Sequence, residues 1–426
     1  MEANIFVVAL AVLAFGLLAG RLRSAPLTMP MIFTAAGLLL GPGVLGVIHF
    51  DVENETVSAL AEAALVVVLF TDASRMELRT VLKEHTLALR LLGFGLPLAL
   101  LIGTAAGLLL LPTLPIAAVA LLAATLAPTD AALGQAFVSN QTVPRRIRQT
   151  LNVESGLNDG LAVPFITVLL DIARHDTGSP FSYVELFASL VGIGIAVGVV
   201  VGWLGGRILE WSASRDWATD TTQRLATIAL AAIAFAGSEL LGGNGFVAAF
   251  SAGLVVGTAA RSLLPRTTGF AEAEGQLLTL ITFLLFGTIM VVDVLGDASW
   301  RVIVYALVSL FIVRPAAVAI SLLGSGLSSA SVGFLGWAGP RGLASIVYAV
   351  LIAGTTDVPG AELVFIVAAW TILFSIYLHG LSAAPLSAWY GRHTRQAHHP
   401  RAPEHQHAAE LPLRLPARSD SGEEHR

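Results

Sequence analysis

Two aspartates, a glutamate and two arginines interrupt stretches of this chain that are otherwise almost wholly apolar: Asp130, Asp159, Glu154, Arg314 and Arg341. An ionisable side chain at the centre of a membrane helix costs roughly 2.5–3.5 kcal/mol on insertion scales, so such residues are expected to be few, paired and functional. The run Asn152-Val-Glu-Ser-Gly-Leu-Asn-Asp-Gly-Leu-Ala-Val-Pro164 carries the densest set. On a helix, residues four apart share nearly the same face, which groups Ser155 with Asp159 and Glu154 with Asn158 on a neighbouring face. Pro164 lacks an N–H and leaves the Gly160 carbonyl free. Hard alkali cations take oxygen ligands, and Asp159, Asp130, Ser155, Thr129 and the carbonyls loosened around Pro128 are candidates to supply them. A single carboxylate can hold a cation or a proton and not both, so a buried site of this kind exchanges one for the other. Glu154 has a different expected role. Arg314 offers it a bidentate partner that essentially never deprotonates, so the pair reads as structural. Arg341 reads as a fixed positive charge offsetting half-helix dipoles, with an interfacial anchor as the alternative.

The elements that must hold these residues are membrane helices. Of 426 residues, 55% are hydrophobic and only 12% charged; mean hydropathy is +0.79. Apolar stretches of about 20 residues, long enough to cross a hydrocarbon core, recur from Ile5 to Leu386. Breaking them at Gly/Pro/Ser clusters and charges gives thirteen spans, starting near residues 4, 28, 57, 86, 114, 149, 183, 221, 244, 275, 300, 329 and 360. Cations alternate as the positive-inside rule requires. One set of loops holds Arg21 and Arg23, Arg75, Arg79 and Lys83, Arg145, Arg146 and Arg148, Arg207, Arg215 and Arg224, Arg261 and Arg266, and the tail arginines; the other holds Arg174 and Arg301. The N-terminus is then outside and the C-terminus cytoplasmic. There is no cysteine, which excludes disulfides, thiolate chemistry and Cys-ligated metal. Residues 392–426 are polar and rich in His, Pro, Arg and Glu, the composition of a disordered cytoplasmic tail.

An odd number of spans suggests two six-helix repeats of opposite orientation, about 1–175 and 220–391, joined by a linker helix near 183–211 within a transmembrane domain of residues 1–391. Spans 5 and 12 then correspond. Both are broken mid-membrane, at Leu126-Ala-Pro-Thr-Asp130 and at Gly339-Pro-Arg-Gly342. Interrupted helices at matching positions of inverted repeats point to a substrate site at the midplane, whereas either break alone would read as a proline kink.

With Glu154-Ser-Gly-Leu-Asn-Asp-Gly160, Thr129-Asp130, Arg314-Pro315 and Gly339-Pro-Arg-Gly342 in order along residues 5 to about 390, the chain resembles the monovalent cation:proton antiporter-1 family of sodium/proton exchangers. The resemblance implies an all-α polytopic membrane protein of about thirteen helices, with broken helices 5 and 12 crossing at the ion site and a six-helix core moving against a dimer interface. It implies that Asp159, Asp130, Ser155 and the Thr129 carbonyl ligate the cation, that Asn158 orients the site, and that Glu154 pairs with Arg314. The Asn158-Asp159 pair, where electrogenic relatives have two aspartates, and arginine in place of lysine at 314 imply electroneutral one-for-one exchange. The expected partners are sodium (lithium or potassium as alternatives), protons, membrane lipid and a second copy of the chain, with no cofactor and no nucleic acid, in a cell membrane and serving sodium and pH homeostasis.

Other classes fit less well. Potassium/proton exchange uses the same ligand types and stays open. An organic anion would be repelled by Asp130 and Asp159. An intramembrane hydrolase would need a Gly-x-Gly-Asp motif, a nucleophile elbow or a His-rich metal constellation, none of which the apolar segments contain. A passive channel would need a filter or a ring of repeated motifs.

Overall fold

The computed structural model describes residues 2–22, 27–48, 55–175, 180–259, 264–294, 296, 299–355, 357–396, 403–406 and 411. Among them the architecture is all helical. In chain order the helices are α1 Glu2–Leu22, α2 Met29–Leu40, α3 Glu55–Ser74, α4 Leu78–Glu84, α5 Thr86–Leu110, α6 Ile116–Thr125, α7 Ala131–Val138, α8 Arg145–His175, α9 Pro180–Ala213, α10 Asp220–Leu240, α11 Gly245–Ala259, α12 Leu264–Leu285, α13 Trp300–Ser321, α14 Ser329–Trp337, α15 Leu343–Ala353 and α16 Ala361–Gln396. Most expected span starts coincide with helix starts. The tenth does not: α12 begins at Leu264 instead of near 275, because its first turns are too polar for an apolar-run criterion. The short helix α4 was not expected either; its charged sequence, Leu-Arg-Thr-Val-Leu-Lys-Glu, has no apolar run.

Five of these helices, α5, α8, α9, α13 and α16, are each long and apolar enough to cross a bilayer unaided. Large apolar side chains cover the outer surface, including Phe94, Leu109, Ile116, Phe181, Ile208 and Trp300. Such a surface suits hydrocarbon and not water, and the protein is a multi-pass membrane protein. Where helices meet, small residues let backbones approach. A Cβ added at Gly198 of α9 would fall on the Ala248 carbonyl of α11, and Gly194 and Gly202, one turn to either side, face the same helix just as closely.

Two membrane segments are broken in the middle. α6 stops at Thr125, and Pro128, which has no N–H and disfavours helix in the residue before it, keeps residues 127–129 out of helix until Asp130, itself extended, caps α7. α14 ends at Trp337, and Gly339-Pro340 delays α15 until Leu343. α13 instead runs through a π turn at Ser309–Val313, immediately before Arg314-Pro315. Pro315 supplies no amide to the ladder, and the wider turn accommodates that loss.

Of the tail read as disordered, 392–426, only residues 392–396, 403–406 and 411 are described and the rest lies outside the described residues. Pro403–His405 form a single 3₁₀ turn against the bundle. Glu404 Oε1 accepts hydrogen bonds from the Ser328 amide and the Ser331 hydroxyl at the start of α14, both 2.8 Å. Arg146, in the first turn of α8, donates to the Pro403 carbonyl (2.6 Å) and to Gln406 Oε1 (2.7 Å). Gln149 brackets the backbone of Leu411. Residues 403–406 therefore tie the first turn of α8 to the first turn of α14, with Leu411 held separately by Gln149. Composition reports the cost of burying such a segment, and three side chains placed elsewhere in the chain offset that cost.

Burial by itself raises the Glu404 carboxyl, but hydrogen bonds from Ser328 and Ser331 outweigh it and hold the group below the ordinary carboxylate range. A depressed carboxylate stabilises above its unfolded value and loses that contribution only as pH falls through the folded value. The strap should therefore protect the Ser328 amide from hydrogen exchange at every pH above about 5 and release in stronger acid. Glu404→Ala should abolish that protection at all pH values, and protection that vanished between neutral and mildly acid pH would contradict the assignment.

Candidate functional site

The two breaks meet. The Asp130 amide donates to the Pro340 carbonyl at 2.8 Å, so the non-helical residues of one break lie against those of the other. Asp130 then serves two helix starts: Oδ1 accepts from the Leu133 amide of α7 (2.8 Å) and Oδ2 from the Leu343 amide of α15 (2.7 Å). Helix N-termini carry partial positive charge and unsatisfied N–H groups, so a buried carboxylate between two of them is well placed. The approach requires glycine at 342, where a Cβ would collide with the Asp130 carboxylate.

Arg341 is the converse. It is fully buried, and its Nη1 donates to the Ala127 (3.1 Å) and Pro128 (3.3 Å) carbonyls that follow the C-terminal end of α6. Its own amide donates to Ser375 Oγ of α16 at 2.6 Å, and Ser375 in turn meets His379, which stacks on Trp337. The Ser345 hydroxyl of α15 satisfies the Thr125 carbonyl at 2.7 Å. At the other end of α7, Arg148 donates to the Val138 carbonyl. Each exposed half-helix terminus at the crossing thus faces a charge or hydroxyl of the matching sign.

Beside the crossing, α8 contributes two faces. On one, Arg314 donates from Nη1 to Glu154 Oε1 at 2.9 Å and from Nη2 to Oε2 at 3.1 Å, with a further contact to the Leu335 carbonyl. Gly339 packs against this guanidinium so closely that any Cβ would overlap it. On the neighbouring face Ser155 Oγ lies 3.3 Å from Thr129 Oγ1, and Asn158, one turn beyond Glu154, reaches the same hydroxyl by donating from Nδ2 at 2.6 Å. Thr129, Ser155, Asn158 and Asp159 are all buried, and Asp159 lies one helical turn beyond Ser155. The Thr129 carbonyl belongs to neither α6 nor α7. A cavity of about 10 Å³ touches Glu154, Asn158 and Arg314, beside an Asn158 Oδ1 with no protein partner; that is room for about one water.

The structure therefore brings Thr129, Ser155 and Asn158 into one hydrogen-bonded group adjoining Asp159, and joins Glu154 to Arg314. Asp130 sits apart in its bonding, since both of its oxygens already accept backbone amides. Ser345, Ser375, His379 and Arg148 were not singled out from the sequence. Hydroxyls on apolar helices and a cation in a basic loop carry no mark that would have distinguished them.

The match to known proteins is consistent with this arrangement. Residues 6–389 match the family model described as sodium/hydrogen exchanger, transmembrane. The chain belongs to the sodium/hydrogen exchanger family. The K(+)/H(+) antiporter NhaP2 of Shewanella baltica is 29% identical over 360 residues, which is 83% of this chain and 60% of that protein. The K(+)/H(+) antiporter NhaP of Alkalimonas amylolytica is 27% identical over 399 residues, 91% of this chain and 67% of that one. This chain thus spans roughly two thirds or less of the length of these exchanger-family relatives. The solved sodium proton antiporter MjNhaP1 from Methanocaldococcus jannaschii shares the fold, with a TM-score of 0.78 at 22% identity, covering 91% of this chain and 98% of that one.

Breaking a buried ion pair by removing one partner typically costs about 3–5 kcal/mol, while replacing both charges is far milder. Arg314→Met should therefore lower thermal stability sharply in detergent, and Glu154→Gln/Arg314→Met should regain most of the loss. Additive losses in that double-mutant cycle would show that the two residues do not act as a pair.

Proposed function

We propose that this member of the exchanger family is a secondary antiporter that exchanges a monovalent cation for a proton, with Asp159 alternately holding each. The observation that carries this reading is the buried oxygen group of Thr129, Ser155 and Asn158 beside Asp159. In a site so short of water, a bare carboxylate is costly unless a cation or a proton accompanies it. Ser155, Thr129 and Asp159 supply oxygens of the type a hard cation takes, and Asn158 holds the Thr129 hydroxyl in place. Asp130, a cation ligand by resemblance, would act with the lone pairs that its two helix caps leave unused.

Exchange would be electroneutral. Asn158 does not titrate, and the Arg314 guanidinium stays charged throughout, so one proton is available per cation. The same reading includes thirteen crossings in two inverted repeats, an outside N-terminus, a cytoplasmic C-terminus and a homodimer. Sodium is the proposed cation. The names of the Shewanella and Alkalimonas relatives favour potassium as the alternative, and competition between the two ions in one assay separates them. The relatives and fold neighbours are transporters by name, and a hydrolase reading is not retained.

The test uses proteoliposomes with an internal pH-sensitive dye and a sodium or potassium pulse. Wild type should move protons against the cation at a rate that does not respond to an imposed membrane potential. Asp159→Asn, purified folded and of the same size, should not move them. Exchange by the variant would make Asp159 structural, and a potential-dependent rate in wild type would contradict electroneutrality.

A further inference from the structure

The small cavity beside Asn158 is lined by polar groups of opposite kinds. Asn158 Oδ1 accepts no hydrogen bond within the protein, and Arg314 Nε donates none. Asn158 is 2% exposed and Arg314 6%, and both line the same space of about 10 Å³, with Glu154 as its third polar wall. The other walls are apolar, among them Leu96 and Ala99 of α5 and Ala317 and Val318 of α13. A buried donor or acceptor without a partner is rare, because it forgoes its bonds to water and receives nothing in exchange. Two of them on one cavity, one a donor and one an acceptor, point to a molecule that serves both.

The chemistry of the walls narrows that molecule to one. A metal cation would face the Arg314 guanidinium, which is permanently positive and can only donate. An anion would face the Glu154 carboxylate and the lone pairs of Asn158 Oδ1. Water can accept from the guanidinium and donate to both oxygens, and those three bonds are the number a buried water typically makes. The space is also the right size for one.

We propose that this cavity holds a resident water that accepts from Arg314 Nε and donates to Asn158 Oδ1 and Glu154, and that this water is a positioning group for the ion site. It fixes the direction of the Asn158 amide. With three polar walls the water uses both hydrogens and one lone pair, and Asn158 is left to present Nδ2 to Thr129, the arrangement seen at 2.6 Å. Were the amide reversed, the water would accept twice and one of its hydrogens would lie against apolar side chains. Buried donors without partners are rarer than unused lone pairs. The reversed amide would also claim the Thr129 hydrogen, which is otherwise free to reach Ser155 Oγ at 3.3 Å. The fixed charge of Arg314 thus orders both hydroxyls through one water, with no change of protonation. The consequence for transport rests on the antiport reading above: hydroxyls ordered beforehand cost less to arrange when the cation binds.

Ala317→Val and Ala317→Thr test the proposal, because the two side chains share one shape and differ only in whether a methyl or a hydroxyl enters the cavity. In proteoliposomes given a sodium or potassium pulse, Ala317→Val should raise the apparent KM for the cation about tenfold and leave kcat unchanged. Ala317→Thr returns a hydroxyl to the place of the water and should stay within about twofold of wild type. A change in packing alone would move both variants alike, so equal KM values, raised or not, would overturn the proposal. If neither variant folds, a wild-type map at a resolution that shows ordered waters decides it. An oxygen within hydrogen-bond reach of Asn158 Oδ1 and Arg314 Nε supports the assignment, and an empty cavity contradicts it. If that oxygen is present while Asp159→Asn still exchanges, the antiport reading fails and the water stands.

Discussion

Everything at the centre of this molecule depends on pairing charge with half-helix ends. Breaking a membrane helix leaves amides at one end and carbonyls at the other without partners, in a medium that offers no water to replace them. Asp130 takes the amides of two helix starts, and Arg341 takes the carbonyls that follow the end of α6. Because one break satisfies the other, shifting either half alone would leave buried backbone groups of both without partners. The residues between the half-helices are thereby held non-helical inside the bundle. Thr129 owes its place beside α8 to that arrangement, and so does the oxygen group that Ser155 and Asn158 complete.

The Glu154–Arg314 pair and the crossing are linked through Gly339, whose lack of a side chain lets the guanidinium lie against the second break. One face of α8 is thereby tied to α13 by fixed charges, while the face one residue on presents Asp159. The division is chemically sensible. In the proposed cycle only Asp159 would change protonation, and Asn158 in the position next to it adds no second titrating group there.

Much of this was legible in the sequence because it is local. Apolar runs marked the helices, prolines 128 and 340 marked the breaks, and a four-residue spacing placed Ser155 with Asp159. What stayed hidden is what depends on contacts between residues about two hundred positions apart. Nothing near Asp130 reveals that both of its oxygens would be spent on amides, one of them at Leu343. Arg341 was readable as a charge for a helix dipole, but not as the donor to the Ala127 and Pro128 carbonyls beyond α6 in particular. Ser345 and Ser375 look like ordinary members of apolar helices, since periodicity reports a face and not what that face meets. The contacts of Glu404, Gln406 and Leu411 were not legible for a related reason: composition describes how a segment behaves alone, and Ser328, Ser331, Arg146 and Gln149 lie elsewhere.

Competition between cation and proton for one carboxylate is the central claim, and counting protons released on cation binding tests it without any transport. Purified protein in weakly buffered detergent solution, titrated with sodium or potassium at mildly acid pH, should release one proton for each cation bound. Asp159→Asn should release none. Cation binding to the wild-type protein with no proton released would contradict the claim directly, because both ligands would then be held at once.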